Sequence, residues 1–329
     1  MTSKENLLEC IRHASPEWVP YANEAIHVVG SPVVERPSWT EGFDAFGVHW
    51  SFDENAEGGT YPTPGRHPVG DIADWEISVV FPDLDALDWE AIRREAEEID
   101  RTEYVIMGFV EMGIFERSYL LLGMEGALVA YLTKKSAMSG LCGAIADFKI
   151  EVLQRLDEAI DMDILWYGDD WGTQIDLFIP PDTWREIILP ETARIYRAAH
   201  EREILVNQHS CGRIESIIGD VVETGADMWN PCQPCNDLKS IKERHGEKLV
   251  LIGGIDSQFV LGRPGVTAEE LDDEVKRRVF DLAPGGGYIA SPSHSVPYLE
   301  HVRNAMYQAI TRYGREVYRA EEPGSKKTP

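Results

Sequence analysis

The sequence predicts an α/β chain folded as a (β/α)8 TIM barrel with an irregular N-terminal cap. Three observations carry that prediction. From about residue 104, short apolar runs alternate with amphipathic helical stretches, and strand–helix alternation implies a parallel sheet. The 329 residues exceed the about 250 that one barrel needs, leaving room for an elaborated N-terminus. Polar and metal-type side chains collect where the apolar runs end, and barrel enzymes carry their chemistry on that face.

In chain order, residues 1–103 read as an N-terminal segment and cap integral to the barrel, 104–320 as the main barrel, and 321–329 as a disordered tail. An early strand near "EWVPYA" (17–22) brings the strand count towards eight. Residues 46–75 are rich in Gly, Pro and aromatics and lack a helical period. Trp50, Phe52, Tyr61 and Trp75 supply apolar anchors there, so an ordered cap or lid is expected rather than a linker. "DWEAIRREAEEID" (88–100) reads as a polar surface helix.

The candidate barrel strands are 104–111, 164–170, 204–211, 226–232, 249–256 and 286–294. Residues 180–202 place Trp184, Ile187, Ile188, Ile195 and Tyr196 at helical spacing. Thr267 and Glu270 form a capping box ahead of Leu271, Val275, Val279 and Leu282. The last helix carries Leu299, Val302, Met306 and Ile310.

The formal charge of −26 argues against nucleic acid, whose affinity comes from Lys and Arg neutralising phosphates. An anionic membrane and a polyanionic substrate are disfavoured for the same reason. Five cysteines (Cys10, Cys142, Cys211, Cys232 and Cys235) do not look like a secreted disulfide framework. No apolar run suits a signal peptide or approaches the about 18 residues of a membrane span. A cytoplasmic, reduced protein is expected, its thiols free to bind metal.

"ILVNQHSCGRI" (204–214) sets His209 and Cys211 two apart at a strand end, where i and i+2 face the same way. With His294 at the end of a later strand, they form a set suited to Zn²⁺. "YGDDWGTQ" (167–174) pairs Asp169 with Asp170, of which one is expected to face the pocket. An Asp there can serve the site or cap the following turn. In "NPCQPCND" (230–237) two free thiols in a post-strand loop are the plainer reading, with Cys232 a weaker extra ligand. Glu111 also ends a strand. Trp166, Tyr167, Trp171, Trp229 and Phe115 supply aromatic surface near the expected mouth, although core packing is the competing role. Gly-x-Gly-x-x-Gly, Gly-x-Ser-x-Gly and His-Glu-x-x-His are all absent.

Taken as an ordered set, "GDDWGTQ", "PPDTWREIILP", "HSCGRI", "GADMWNP", "GGIDSQ" and "PGGGYIASPSHSVP" resemble the uroporphyrinogen decarboxylase superfamily, in its cobalamin-dependent methyltransferase branch. The resemblance implies a (β/α)8 barrel and zinc on a His-x-Cys pair plus a later Cys. His209 and Cys211 match the pair, and His294 stands where the later Cys is expected. "PEWVPYANEAI" lacks the arginines with which the decarboxylases hold a many-carboxylate substrate, so porphyrinogen decarboxylation is not expected.

The resemblance implies a methyltransferase removing a methyl group from a small donor, a methoxylated aromatic ether being favoured, and passing it to the Co(I) corrinoid of a small partner protein. In that reading Asp169, Asp170 and Glu111 are catalytic, and Trp171, Gln174, Tyr167, Trp229 and Phe115 bind substrate. Methylcobalamin-to-thiol transfer and a non-catalytic, metal-dependent subunit of a corrinoid complex are the alternatives. A homodimer is left open.

Overall fold

The computed structural model describes residues 1–319 except 23, 56–58 and 295–298, so the tail expected at 321–329 lies outside the described residues. The first helix, α1 (Ser3–Ile11), carries a capping box of Thr2 and Glu5. It is followed by β1 (Ile26–Gly30) and the cap strands β2 (Gly42–Phe43), β3 (His49–Phe52) and β4 (Thr60–Pro62), which form a small antiparallel sheet. Helices α2 (Trp75–Ser78) and α3 (Trp89–Glu97) lead into β5 (Val105–Val110). Then come α4 (Ile114–Leu122), α5 (Met124–Thr133), α6 (Lys135–Ile160), β6 (Ile164–Gly168), α7 (Pro181–Ile187), α8 (Leu189–His200) and β7 (Leu205–His209). The chain continues through α9 (Ile218–Thr224), β8 (Met228–Cys232), α10 (Leu238–His245), β9 (Val250–Ile255), α11 (Ala268–Leu282), β10 (Tyr288–Pro292) and α12 (Glu300–Arg319).

Among the described residues, the main sheet has seven parallel strands in the order β1-β5-β6-β7-β8-β9-β10. It curls in the manner of a TIM barrel. The strand expected at 17–22 is reduced to a bridge, in which Ala290 N donates to Pro20 O at 2.8 Å and Ala22 N to Ala290 O at 3.1 Å. Pro20 has no N–H of its own to extend a ladder. The regular strand comes a few residues later, as β1 on β5. Neighbouring stretches of one chain therefore meet both edges of the sheet.

The buried strands are nearly continuous apolar runs, as both-face burial demands. Inside the curl, Val105, Met107, Ile164, Met228, Val250, Ile252 and Ile289 pack with Leu7, Cys10 and Ile11 of α1. That helix plugs the end opposite the strand C-termini. Each fully buried aliphatic side chain contributes roughly 1.5–3 kcal/mol. A second, larger core lies between the sheet and its helices. The helical run 180–202 is two helices, α7 and α8. Pro190 at the start of α8 cannot donate to the preceding turn, so it breaks the continuity. The Thr267–Glu270 capping box forms as expected.

The cap is fastened by charge. Arg117 of α4 pairs with Glu35 at 2.6 Å and Asp44 at 2.7 Å, and Lys149 of α6 pairs with Glu35 at 2.5 Å, all four being buried. Trp50 is a true anchor, 3% exposed with its indole on Asp44. Phe52 and Tyr61 are not, at 39% and 41% exposure. None of the five cysteines is in a disulfide. Among the described residues no helix is long and apolar enough to cross a membrane.

Candidate metal site at the barrel mouth

Strands β6, β7 and β8 are adjacent, and the register sets His209 opposite Gly168 on one side and Asn230 on the other. His209 ends β7, and the chain stays extended enough for Cys211 to share its side. Nε2 of His209 lies 3.5 Å from Sγ of Cys211. Ser210 between them is fully buried in the wall, where its hydroxyl accepts the N–H of Trp171.

The third member is Asp170. Its Oδ1 accepts the Cys211 N–H at 2.7 Å and lies 3.5 Å from His209 Nε2. Among the described residues, Asp170, His209 and Cys211 are the group whose ligand atoms all fall within 4.8 Å of one another. Zinc bonds of about 2.0–2.3 Å in a tetrahedral shell put donors roughly 3.3–3.7 Å apart, so this donor set fits Zn²⁺. Burial lowers the His209 pKa, against the pull of Asp170, and favours the neutral ring a metal needs. Burial, then Asp170, pushes the Cys211 thiol up, so metal entry must displace a proton.

The adjacent aspartates divide their labour. Asp169 is 0% exposed and accepts Phe115 N at 3.0 Å, Glu116 N at 2.9 Å and Trp171 Nε1 at 2.8 Å. It holds the N-terminus of α4, while Asp170 faces the site.

His294 does not join the group. Its ring is exposed at the mouth, and its backbone N–H and carbonyl are both tied to the Ser257 hydroxyl. It lines an adjoining cavity of about 340 Å³ together with Gln174, Cys235, Asp256 and Phe259. Cys232 is excluded by packing: it is fully buried with Sγ on the Trp229 carbonyl, and Cys235 is the thiol of the pair that reaches the mouth.

The expected aromatic platform is also corrected. Trp171, Tyr167, Trp229 and Phe115 are each at most 1% exposed, so they form the wall behind the site. The accessible rings are Trp166, stacked on Phe109 at 4.1 Å and tilted against the His209 ring at 4.5 Å, and Phe259 at the cavity rim. Gln174 does open onto the cavity.

Glu111 sits near the mouth, 3.9 Å from Arg36, with burial raising its pKa. Sequence reasoning missed Glu116. Burial, then Asp170, Asp169 and Glu111, raises its pKa well above the carboxylate range, and the Tyr119 hydroxyl donates to it at 3.4 Å. The signal was available, since an acid in the first turn after a barrel strand stands at the mouth.

The fold and the geometry define a TIM-barrel-like protein with a His–Cys–Asp donor group at the C-terminal ends of its strands. The chain belongs to the uroporphyrinogen decarboxylase (URO-D) family, whose model matches residues 42–313. Its fold is similar to that of a methyltransferase from Methanosarcina mazei, with a TM-score of 0.71 at 17% identity over 95% of this chain and 99% of that one. A sugar phosphate isomerase/epimerase from Parabacteroides distasonis ATCC 8503 overlays much less well, at TM-score 0.33 and 10% identity over 71% of this chain and 91% of that one. No curated protein matches the sequence.

Proposed function

We propose that this chain is a zinc-dependent methyltransferase that takes a methyl group from a small donor and delivers it to the Co(I) corrinoid of a partner protein. The observation carrying the proposal is the group of Asp170, His209 and Cys211 at the open mouth of a barrel of this family. Those three residues would hold the metal, with His294 and Cys235 at hand from the neighbouring cavity. Zinc held there supplies Lewis acidity towards a substrate oxygen.

A methoxylated aromatic ether is the favoured donor class. The stacked pair of Trp166 and Phe109 beside His209 offers a flat ring a surface, replacing the buried aromatics. A carboxylate donor is harder than the second thiolate of related sites, which suits an oxygen substrate. Glu116, lying against Asp170, would return a proton to the departing oxygen, where the sequence pointed only to Glu111 among the glutamates as catalytic. Decarboxylation of a polycarboxylate is disfavoured, since Glu111, Glu116, Asp170 and Asp256 surround the mouth.

One observation favours the reverse direction. With Asp170 and Cys211 both ionised, a divalent metal is neutralised, which suits activation of a thiol acceptor. The test is zinc analysis of the wild type, His209→Ala, Cys211→Ser and Asp170→Ala, followed by two assays. One follows methyl transfer from methoxyarenes to cob(I)alamin, and the other from methylcobalamin to thiols. Turnover of ethers that vanishes with the zinc supports the first direction, and thiol methylation alone supports the second. Stoichiometric zinc with neither activity returns the chain to a binding subunit, and turnover without zinc overturns the proposal.

A further inference from the structure

Trp166, His209 and Asn230 come from three neighbouring strands and meet at one atom. The Asn230 Oδ1 is 3.2 Å from Trp166 Nε1 and 2.6 Å from His209 Nδ1. An indole N–H can only donate, so the amide must turn its oxygen towards Trp166. The same oxygen faces His209, and an amide oxygen can only accept. Nδ1 of His209 therefore carries the hydrogen, and Nε2 keeps its lone pair. That lone pair lies 3.5 Å from both Cys211 Sγ and Asp170 Oδ1. The indole also lies against the imidazole, with ring centres 4.5 Å apart and planes tilted by 37°. Its ring occupies the space beside Gly168, where a Cβ would fall 2.5 Å from it.

We infer that Trp166 and Asn230 are positioning residues that fix the tautomer of His209 and thereby set the affinity of the mouth for zinc. Trp166 orients the amide, the amide selects the protonated nitrogen, and the other nitrogen is presented to the metal. Without the amide oxygen the ring divides between two tautomers, one of which points a hydrogen at the metal position. Outer partners of metal-binding histidines typically affect affinity by about 10–100-fold. The affinity arm rests on the zinc reading above, whereas the tautomer arm stands on the metal-free protein.

The experiment uses the full chain labelled with ¹⁵N-histidine, with the His209 signals assigned by their loss in His209→Gln. In the metal-free wild type, His209 is expected as the Nδ1–H tautomer. Asn230→Leu should show mixed tautomers and bind zinc 10–100-fold more weakly in a chelator competition. Asn230→Asp restores an acceptor and should recover both. Trp166→Phe keeps an aromatic ring against the imidazole but frees the amide, and should fall between. If Asn230→Leu fails to fold, the pair Asn230→Asp and Trp166→Phe decides. An Nε2–H tautomer in the wild type, or an unchanged tautomer in Trp166→Phe and any folded Asn230→Leu, overturns the inference. Absence of zinc binding in the wild type with the expected tautomer sinks the zinc reading and leaves the relay standing.

Discussion

Gly172 and Gly212 touch backbone to backbone: a Cβ on Gly212 would lie 2.2 Å from the Gly172 carbonyl. This contact draws the loops after β6 and β7 together and sets Asp170 beside Cys211. Gly212 also has φ +82°, a conformation that costs other residues roughly 1–3 kcal/mol. Gly212→Ala adds the clash with the Gly172 backbone to that strain, so it is expected to lower stability by more than that amount and, on the zinc proposal above, to weaken zinc affinity at least tenfold. Urea unfolding and chelator competition measure the two effects. Undiminished zinc binding would show that the loop contact does not position the ligands.

The thiols should react in two classes. Cys211 and Cys235 are half-buried, whereas Cys10, Cys142 and Cys232 are fully buried. Burial raises Cys10 to about 11 and Cys142 to about 12, leaving little thiolate at about pH 8. Iodoacetamide with peptide mass mapping should label Cys235 first in the native protein, Cys211 more slowly because burial and Asp170 hold its thiol protonated, and the others only on unfolding. Added zinc should spare Cys211 and not Cys235; equal protection of both would make Cys235 a ligand.

Burial raises Asp169 from 3.8 to about 6, although its three N–H donors oppose the shift. The folded state thus holds the proton more tightly than the unfolded state. Stability from this group is full below about pH 4 and is lost as pH rises to about 6. Two pKa units correspond to about 3 kcal/mol. The difference in unfolding free energy between wild type and Asp169→Asn should therefore change across that window and level off above it. A pH-independent difference would mean that Asp169 is ionised throughout.

Arg117 has its charge answered by Glu35 and Asp44, all three side chains being buried. Arg117→Met would leave the buried Asp44 carboxylate without a cation, Glu35 keeping Lys149, at a cost of roughly 3–5 kcal/mol. The double change Arg117→Met, Asp44→Asn, which keeps Glu35 for Lys149, should recover part of that loss. If the single variant melts like the wild type, the network does not hold the cap.

His209 and Cys211 were legible because a period of two is the one regularity a strand end imposes, and the ligand atoms meet at 3.5 Å. The split between Asp169 and Asp170 followed from the same alternation. The aromatic wall was not legible. In a barrel both faces of a strand are buried, so an apolar run does not say whether Tyr167 or Trp166 points inward. His294 was placed in the site by its strand end, and Asp170 took its position because the loop after β6 folds back on Cys211 through two glycines. Glu116 went unread although it stands in the first turn after β5, since only the packing of α4 brings it to Asp170. In the barrel, Pro20 and Pro190 carried the signals for a shortened strand and a broken helix.

Positions 169 and 170 hold the same amino acid, yet on the function proposed above they would answer to different selective pressures. Asp169 is read by abundance, since a change there loosens the start of α4. On the function proposed above, Asp170 would be read by turnover, since it presents its carboxylate to His209 and Cys211. A saturation scan scored once for cellular protein level and once for activity per molecule would separate the two neighbours completely. Variation within the family at these two positions would likewise report divergence of stability at one and of chemistry at the other.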